Sequence, residues 1–91
     1  MVRVQSVALA GGFRLRLAFT DGSEKTVDVE PYLHGPVFDP LRAYRALFEA
    51  VAVDPELGTV VWPNGADLDP DVLYQGLEPA WRSGGRDLGA A

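Results

Sequence analysis

The clearest pattern in the chain is an alternation. Phe13, Leu15, Leu17 and Phe19 take every second position, with Arg14, Arg16, Ala18 and Thr20 between them. A period of two over eight residues predicts a β-strand with one face on a core and one face in water. Gly11–Gly12 before it and Asp21–Gly22 after it are turn pairs. Asp-Gly is favoured in two-residue type I′ hairpins, where both positions need positive φ. Upstream, Val2, Val4, Val7 and Leu9 read as a first strand whose phase slips at Gln5–Ser6, the mark of a bulge. Downstream, Ser23–Val29 reads as a third strand, with Val27 and Val29 inward and Lys25, Thr26 and Asp28 mostly outward. The three strands form an antiparallel meander, wet on one face.

The pattern then changes. Glu30–Leu33 leaves the sheet in a turn or one helical turn, and His34–Gly35–Pro36 is a loop from which Val37 and Phe38 return to the core. Asp39–Pro40 opens a helix of about ten residues, Asp as cap and Pro at the first helical position. Leu41, Tyr44, Leu47 and Phe48 lie on one face of it, covering the apolar side of the sheet. Val51–Val53 and Thr59–Trp62 are two further strands, joined by the turn Asp54–Gly58 and ended by Pro63. Asp69–Pro70 opens a second, short helix that stops before Gly76. The predicted fold is α+β, in the order β-β-β-α-β-β-α. Residues 1–78 form a single domain, and residues 79–91, rich in Gly and Ala, form a flexible tail in which Trp81 is a docking anchor.

Composition narrows the function. The 91 residues carry 8 Lys and Arg against 13 Asp and Glu, a net charge of −5. Phosphate-dominated recognition of nucleic acid needs the opposite sign, so neither nucleic acid nor an anionic membrane is expected as a partner. The absence of Cys excludes disulfides, thiolate metal sites and a Cys nucleophile. No apolar run approaches the roughly 18–20 residues that span a bilayer. No secretory leader is visible, so a cytoplasmic location is expected. Charge is also uneven: from Ala46 to Trp81 there are seven acids and no Lys or Arg. Such an acidic half suits a basic protein partner, since complementary potentials steer encounter. Arg14 and Arg16 stand on the wet face of the meander, where their plain role is cross-strand pairing with Glu24 or Asp28.

Candidate chemistry concentrates between Trp62 and Tyr74, where Trp62, Pro63, Asn64, Gly65, Asp67, Asp69 and Tyr74 form a candidate interaction loop. Asp67, Asp69 and Asp71 alternate as at the start of an EF-hand, and Glu78 falls at the twelfth position. Val72, however, stands where that loop needs Gly, and Pro70 lies inside it. Capping explains the aspartates better: Asp69 caps the helix, Asp71 sits in its first turn, and Asp67 satisfies turn N–H groups. Trp62 reads as core. His34, the only histidine, has no nucleophile paired with it in sequence. No catalytic set, cofactor or metal is assigned. The other class of function is a small-ligand-binding protein or enzyme using the Trp62–Asp71 loop with His34 or Asp69. It would need burial or a pocket to shift the carboxylates. Self-association through the edge of a five-stranded sheet is a third reading, giving a homodimer.

Several blocks together resemble a known family: Phe19–Gly22, Val27–Val29, Gly35–Leu41, Phe48, Gly58–Leu68 and Leu73–Tyr74. They are similar to the bacterial domain-of-unknown-function family 2442 over residues 2–75, with Trp62–Asp67 the most specific block. The resemblance implies a small α+β domain and no established catalytic activity. Some members carry a C-terminal helix-turn-helix domain, and others are encoded beside a second small protein in toxin–antitoxin-type pairs. Here only residues 75–91 follow Tyr74, too few for such a domain. The Leu41–Phe48 helix also departs from the family's Leu-x-Asp-Pro-x-x-Phe pattern. The resemblance therefore implies a non-catalytic interaction or regulatory module, the antitoxin-like member of a pair.

Overall fold

The computed structural model describes residues 2–76. The expected tail and its Trp81 lie outside them. Strands β1 (Val4–Leu9), β2 (Arg14–Phe19) and β3 (Glu24–Asp28) form an antiparallel sheet in that order. Leu15, Leu17 and Phe19 are fully buried while Arg14 and Arg16 are exposed, as the alternation requires. The phase slip is real. The β1–β2 register shifts between Val4 and Ser6, so Gln5 is an extra residue. It lets Val4 and Val7, an odd number of residues apart, both pack on the core.

The β2–β3 connection differs from the type I′ expectation. Gly22 has φ +89°, but among the described residues no non-glycine residue has positive φ. Gly22 N–H bonds the Phe19 carbonyl at 3.0 Å, and Phe19 N–H bonds the Ser23 carbonyl at 2.9 Å. This is a type I turn closed by a bulged glycine. Asp21 keeps negative φ and accepts from Ser23 N–H at 2.9 Å and Ser23 Oγ at 2.6 Å. An Asx turn of this kind fixes the corner without a left-handed aspartate.

After a 3-10 turn at Glu30–Tyr32, the expected ten-residue helix is two short ones, α1 (Asp39–Ala43) and α2 (Arg45–Glu49). Tyr44 between them is extended, with φ −120° and ψ 103°. Leu41 and Phe48 reach the core, but Tyr44 is 66% exposed and Val37 43%. Tyr44 and Val37 are therefore not the core residues the spacing suggested. Helices of five residues are too short to hold themselves by their own hydrogen bonds, so the seats of Leu41 and Phe48 set their geometry. Arg45 reinforces α2. Its guanidinium lies 5.0 Å from the Phe48 ring, donates to the Gly12 carbonyl, and pairs with Glu49 at 2.9 Å.

Strands β4 (Ala52–Asp54) and β5 (Thr59–Val61) form a separate two-stranded sheet, not a continuation of the meander. The link to the first sheet is Val4 N–H to the Gly58 carbonyl at 2.8 Å, with the Arg3 guanidinium on the Pro55 and Glu56 carbonyls. Gly58 has φ +68°, a conformation that strains most side chains, and a Cβ there would also push aside the Arg3 guanidinium. Val60 lies in the core and Val53 packs against it, so the hairpin is held to the rest of the fold by its valines. Helix α3 (Pro70–Gln75) ends at Gly76. All these elements meet in one cluster containing Leu17, Phe19, Phe48, Val60, Trp62 and Leu73.

Candidate functional site

The Trp62–Tyr74 segment begins where β5 ends. Pro63 cannot continue a ladder. The chain turns back at once: Gly65 N–H bonds the Trp62 carbonyl at 3.0 Å, and Trp62 N–H bonds the Ala66 carbonyl at 2.9 Å. Asn64 secures the loop at both ends of its amide. Its Oδ1 accepts from Ala66 N–H at 3.2 Å, and its Nδ2 donates to the Val37 carbonyl at 2.9 Å. Asn64, not Asp67 as expected, satisfies the turn N–H. Asp67 instead forms a backbone bridge with Val61, and its side chain is exposed. Thr59 Oγ1 donates to the Leu68 carbonyl, so the returning chain is stitched to the other side of β5.

Trp62 is 3% exposed. Its indole N–H donates to the Phe48 carbonyl at 2.9 Å, and its ring lies 6.0 Å from that of Phe48. A buried indole with its one donor satisfied is a core residue joining β5 to α2. Asp69 is the α3 cap, accepting from Asp71 N–H at 2.8 Å. Asp71 occupies the first turn, where a carboxylate favours the helix dipole. Among the described residues no group of three or more His, Asp or Glu side chains is gathered as a metal would need.

Tyr74 lies at the far end. It is half-buried, edge-on to Phe19 at 5.0 Å, and its hydroxyl donates to Asp21 Oδ2 at 2.6 Å. Lys25 sits 4.5 Å above the ring and donates to the Tyr74 carbonyl, where a cation suits the C-terminal end of α3. Lys25 shares the inward parity of Val27 and pairs with Leu17, so it does not point outward as expected. That parity was the available sequence signal for this latch. The Asp21 carboxyl is held down at about 2, chiefly by the Ser23 hydroxyl and then by the Tyr74 hydroxyl. The same bond and the Asp21 charge raise the Tyr74 phenol above its ordinary value.

The seven residues of the candidate loop therefore do not converge. Trp62 enters the core, Pro63 and Gly65 shape a bend, and Asn64 ties that bend to Val37. Asp67 faces water, Asp69 caps α3, and Tyr74 clamps the β2–β3 corner. His34 is exposed in its own loop. A hollow of about 210 Å³ lies elsewhere, between Ser6, Ala8, Arg16, Ala18 and Glu24 on the outer face of the first sheet. There Arg16 and Glu24 pair at 2.5 Å, both well exposed, as the cross-strand reading expected. Among the described residues no helix is long and apolar enough to cross a membrane.

No curated protein and no solved structure matches the chain significantly. One family model does match, over residues 4–79, and its description is "Protein of unknown function (DUF2442)". That span takes in every strand and helix described above, so the chain belongs to the DUF2442 family.

Proposed function

We propose that this protein is a small, non-catalytic interaction module that recognises a basic protein partner. In its specific form, the reading makes it the regulatory, partner-binding member of a toxin–antitoxin-like pair. One observation carries it. In the most distinctive segment Trp62, Asn64, Asp69 and Tyr74 tie the chain to its own fold, while large apolar groups remain in water elsewhere. Tyr44 is 66% exposed and Leu57 54%. Exposed aromatics are the side chains that anchor protein interfaces. The acids support the partner's sign: among the described residues from Glu49 to Asp71, only Glu49 pairs with an arginine. The exposed carboxylates of Glu56, Asp67 and Asp71 leave a field that a basic surface would complete.

The test is capture with the tagged chain in its host, followed by calorimetric titration of the purified captured protein. The expected result is saturable binding that weakens at least tenfold in Tyr44→Ala or in Asp67→Asn/Asp71→Asn, and that weakens as salt rises. Binding unchanged by these substitutions, or turnover of a small substrate by the purified chain, would contradict the reading.

A further inference from the structure

The first sheet has two edges of different character. On β3 the edge carries Glu24, Lys25 and Asp28, and Lys25 is an inward-facing charge on an edge strand. Inward charges are a device by which sheets refuse further strands. On β1 the segment Gln5–Ala10 carries no charge, no Pro and no Gly. Its bonding directions follow from the register. Ala10 N–H bonds the Arg14 carbonyl, so the pairs Ala8–Arg16 and Ser6–Ala18 are the hydrogen-bonded ones. Val7 and Leu9 therefore turn their N–H and C=O groups away from β2. Among the described residues no backbone partner takes them; the β4–β5 hairpin lies against β1, and its backbone bond to the strand is at Val4, whose N–H donates to the Gly58 carbonyl. Leu9 is also 44% exposed, on the core face of the sheet beyond Leu15.

We propose that β1 is a self-association edge, occupied by β1 of a second copy of this chain in antiparallel register. The register is determined by the free groups. Val7 pairs with Leu9 of the second copy and Leu9 with its Val7, giving four backbone hydrogen bonds about a two-fold axis at Ala8. The two small Ala8 side chains face each other on the outer side, flanked by Ser6 and Ala10. On the inner side each Val7 covers the other copy's exposed Leu9. A second copy fits this edge better than a charged strand does: the segment is neutral and matches itself across the axis, so self-pairing brings no like charges together. Arg16, the nearest cation on the outer face, is already engaged by Glu24. The product is a six-stranded sheet whose outer edges are both β3. This inference is independent of the heterologous partner and leaves Tyr44 and the acidic turns free.

The experiment is sedimentation of the full chain from micromolar to millimolar concentration, with hydrogen exchange at both ends of the range. The expected mass rises toward twice the 9.8 kDa of the chain. The amides of Val7 and Leu9 gain protection with concentration, while those of Thr26 and Asp28 do not. Ala8→Lys and Ala8→Glu place like charges at the axis, so each alone sediments as monomer, and a one-to-one mixture restores the dimer. A 9.8 kDa species at every concentration overturns the proposal. So does a dimer that both variants keep, or one whose formation leaves the Val7 and Leu9 amides unchanged. Circular dichroism of each variant confirms folding, and the wild-type exchange data stand without either variant.

Discussion

The chain opens a helix twice with Asp-Pro, and the two openings end differently. At Asp69–Pro70 the aspartate is extended, with φ −66° and ψ 130°, and its carboxylate caps α3. At Asp39–Pro40 the aspartate is already inside the helix, and Phe38 occupies the cap position with no side-chain cap bond. What comes before makes the difference. Phe38 and Asp39 both donate to the Gly35 carbonyl, at 3.0 and 2.8 Å, so the chain is turning before it reaches Pro40. Upstream of Asp69, Leu68 is still bonded beside β5 and the chain arrives extended. The same dipeptide is a cap in one setting and a first-turn residue in the other. The consequence reaches the surface: at α3 Asp69 and Tyr74 are tied to the fold, whereas the α1–α2 break leaves Tyr44 in water.

Several substitutions would sharpen or break this contrast. The largest effect belongs to the segment that leads into α3. Trp62→Ala removes a buried indole and orphans the Phe48 carbonyl, and should cost about 3–5 kcal/mol in denaturant unfolding. A loss under about 1 kcal/mol would mean that Trp62 is not structural. Next come the two aspartates. Asp69→Ala should cost about 1 kcal/mol as a lost cap, whereas Asp39→Ala should stay within about 0.5 kcal/mol. Equal losses by thermal melting would erase the distinction. Tyr44→Ala should also stay within about 0.5 kcal/mol while weakening partner binding.

The smallest effect is a pH dependence at Asp21, whose carboxylate is held by Ser23 and by Tyr74. The Asp21 carboxyl titrates near 2 in the folded chain against 3.8 ordinarily. Its contribution to stability is present above about pH 4 and is lost as the pH falls toward 2. The stability gap between wild type and Asp21→Asn should close over that range. Tyr74 has the opposite sense: its raised phenol favours the folded state below pH 10, and that advantage is lost as the pH rises through the higher folded value. A gap that stays constant down to pH 2 would show that Ser23 and Tyr74 do not hold the Asp21 carboxylate in solution.

How much of this was legible depends on what each residue answers to. The β2 alternation, the slip at Gln5 and the Asp69 cap are local, and they appear in the sequence. Tyr44 is helically spaced with Leu41 and Phe48, yet the chain breaks there, because packing of two five-residue helices overrides periodicity. The seat of the β4–β5 hairpin rests on its valines and on Arg3 crossing to Gly58, a contact between residues far apart in sequence. At the candidate loop, the roles of Trp62 and Asp69 follow from residue type. The Asn64–Val37 tie and the Tyr74–Asp21 clamp need the tertiary fold to bring their partners together.

Within the Trp62–Tyr74 segment, Trp62, Asn64, Asp69 and Tyr74 tie the chain to its own fold, and recognition is left to exposed groups such as Tyr44, Asp67 and Asp71. The most direct measurement is hydrogen exchange at the Trp62 indole N–H. The buried bond to the Phe48 carbonyl predicts exchange only through global unfolding, unchanged by added Ca²⁺ or Mg²⁺. Exchange at the rate of an exposed indole, or a shift of that resonance on titration with either ion, would contradict it.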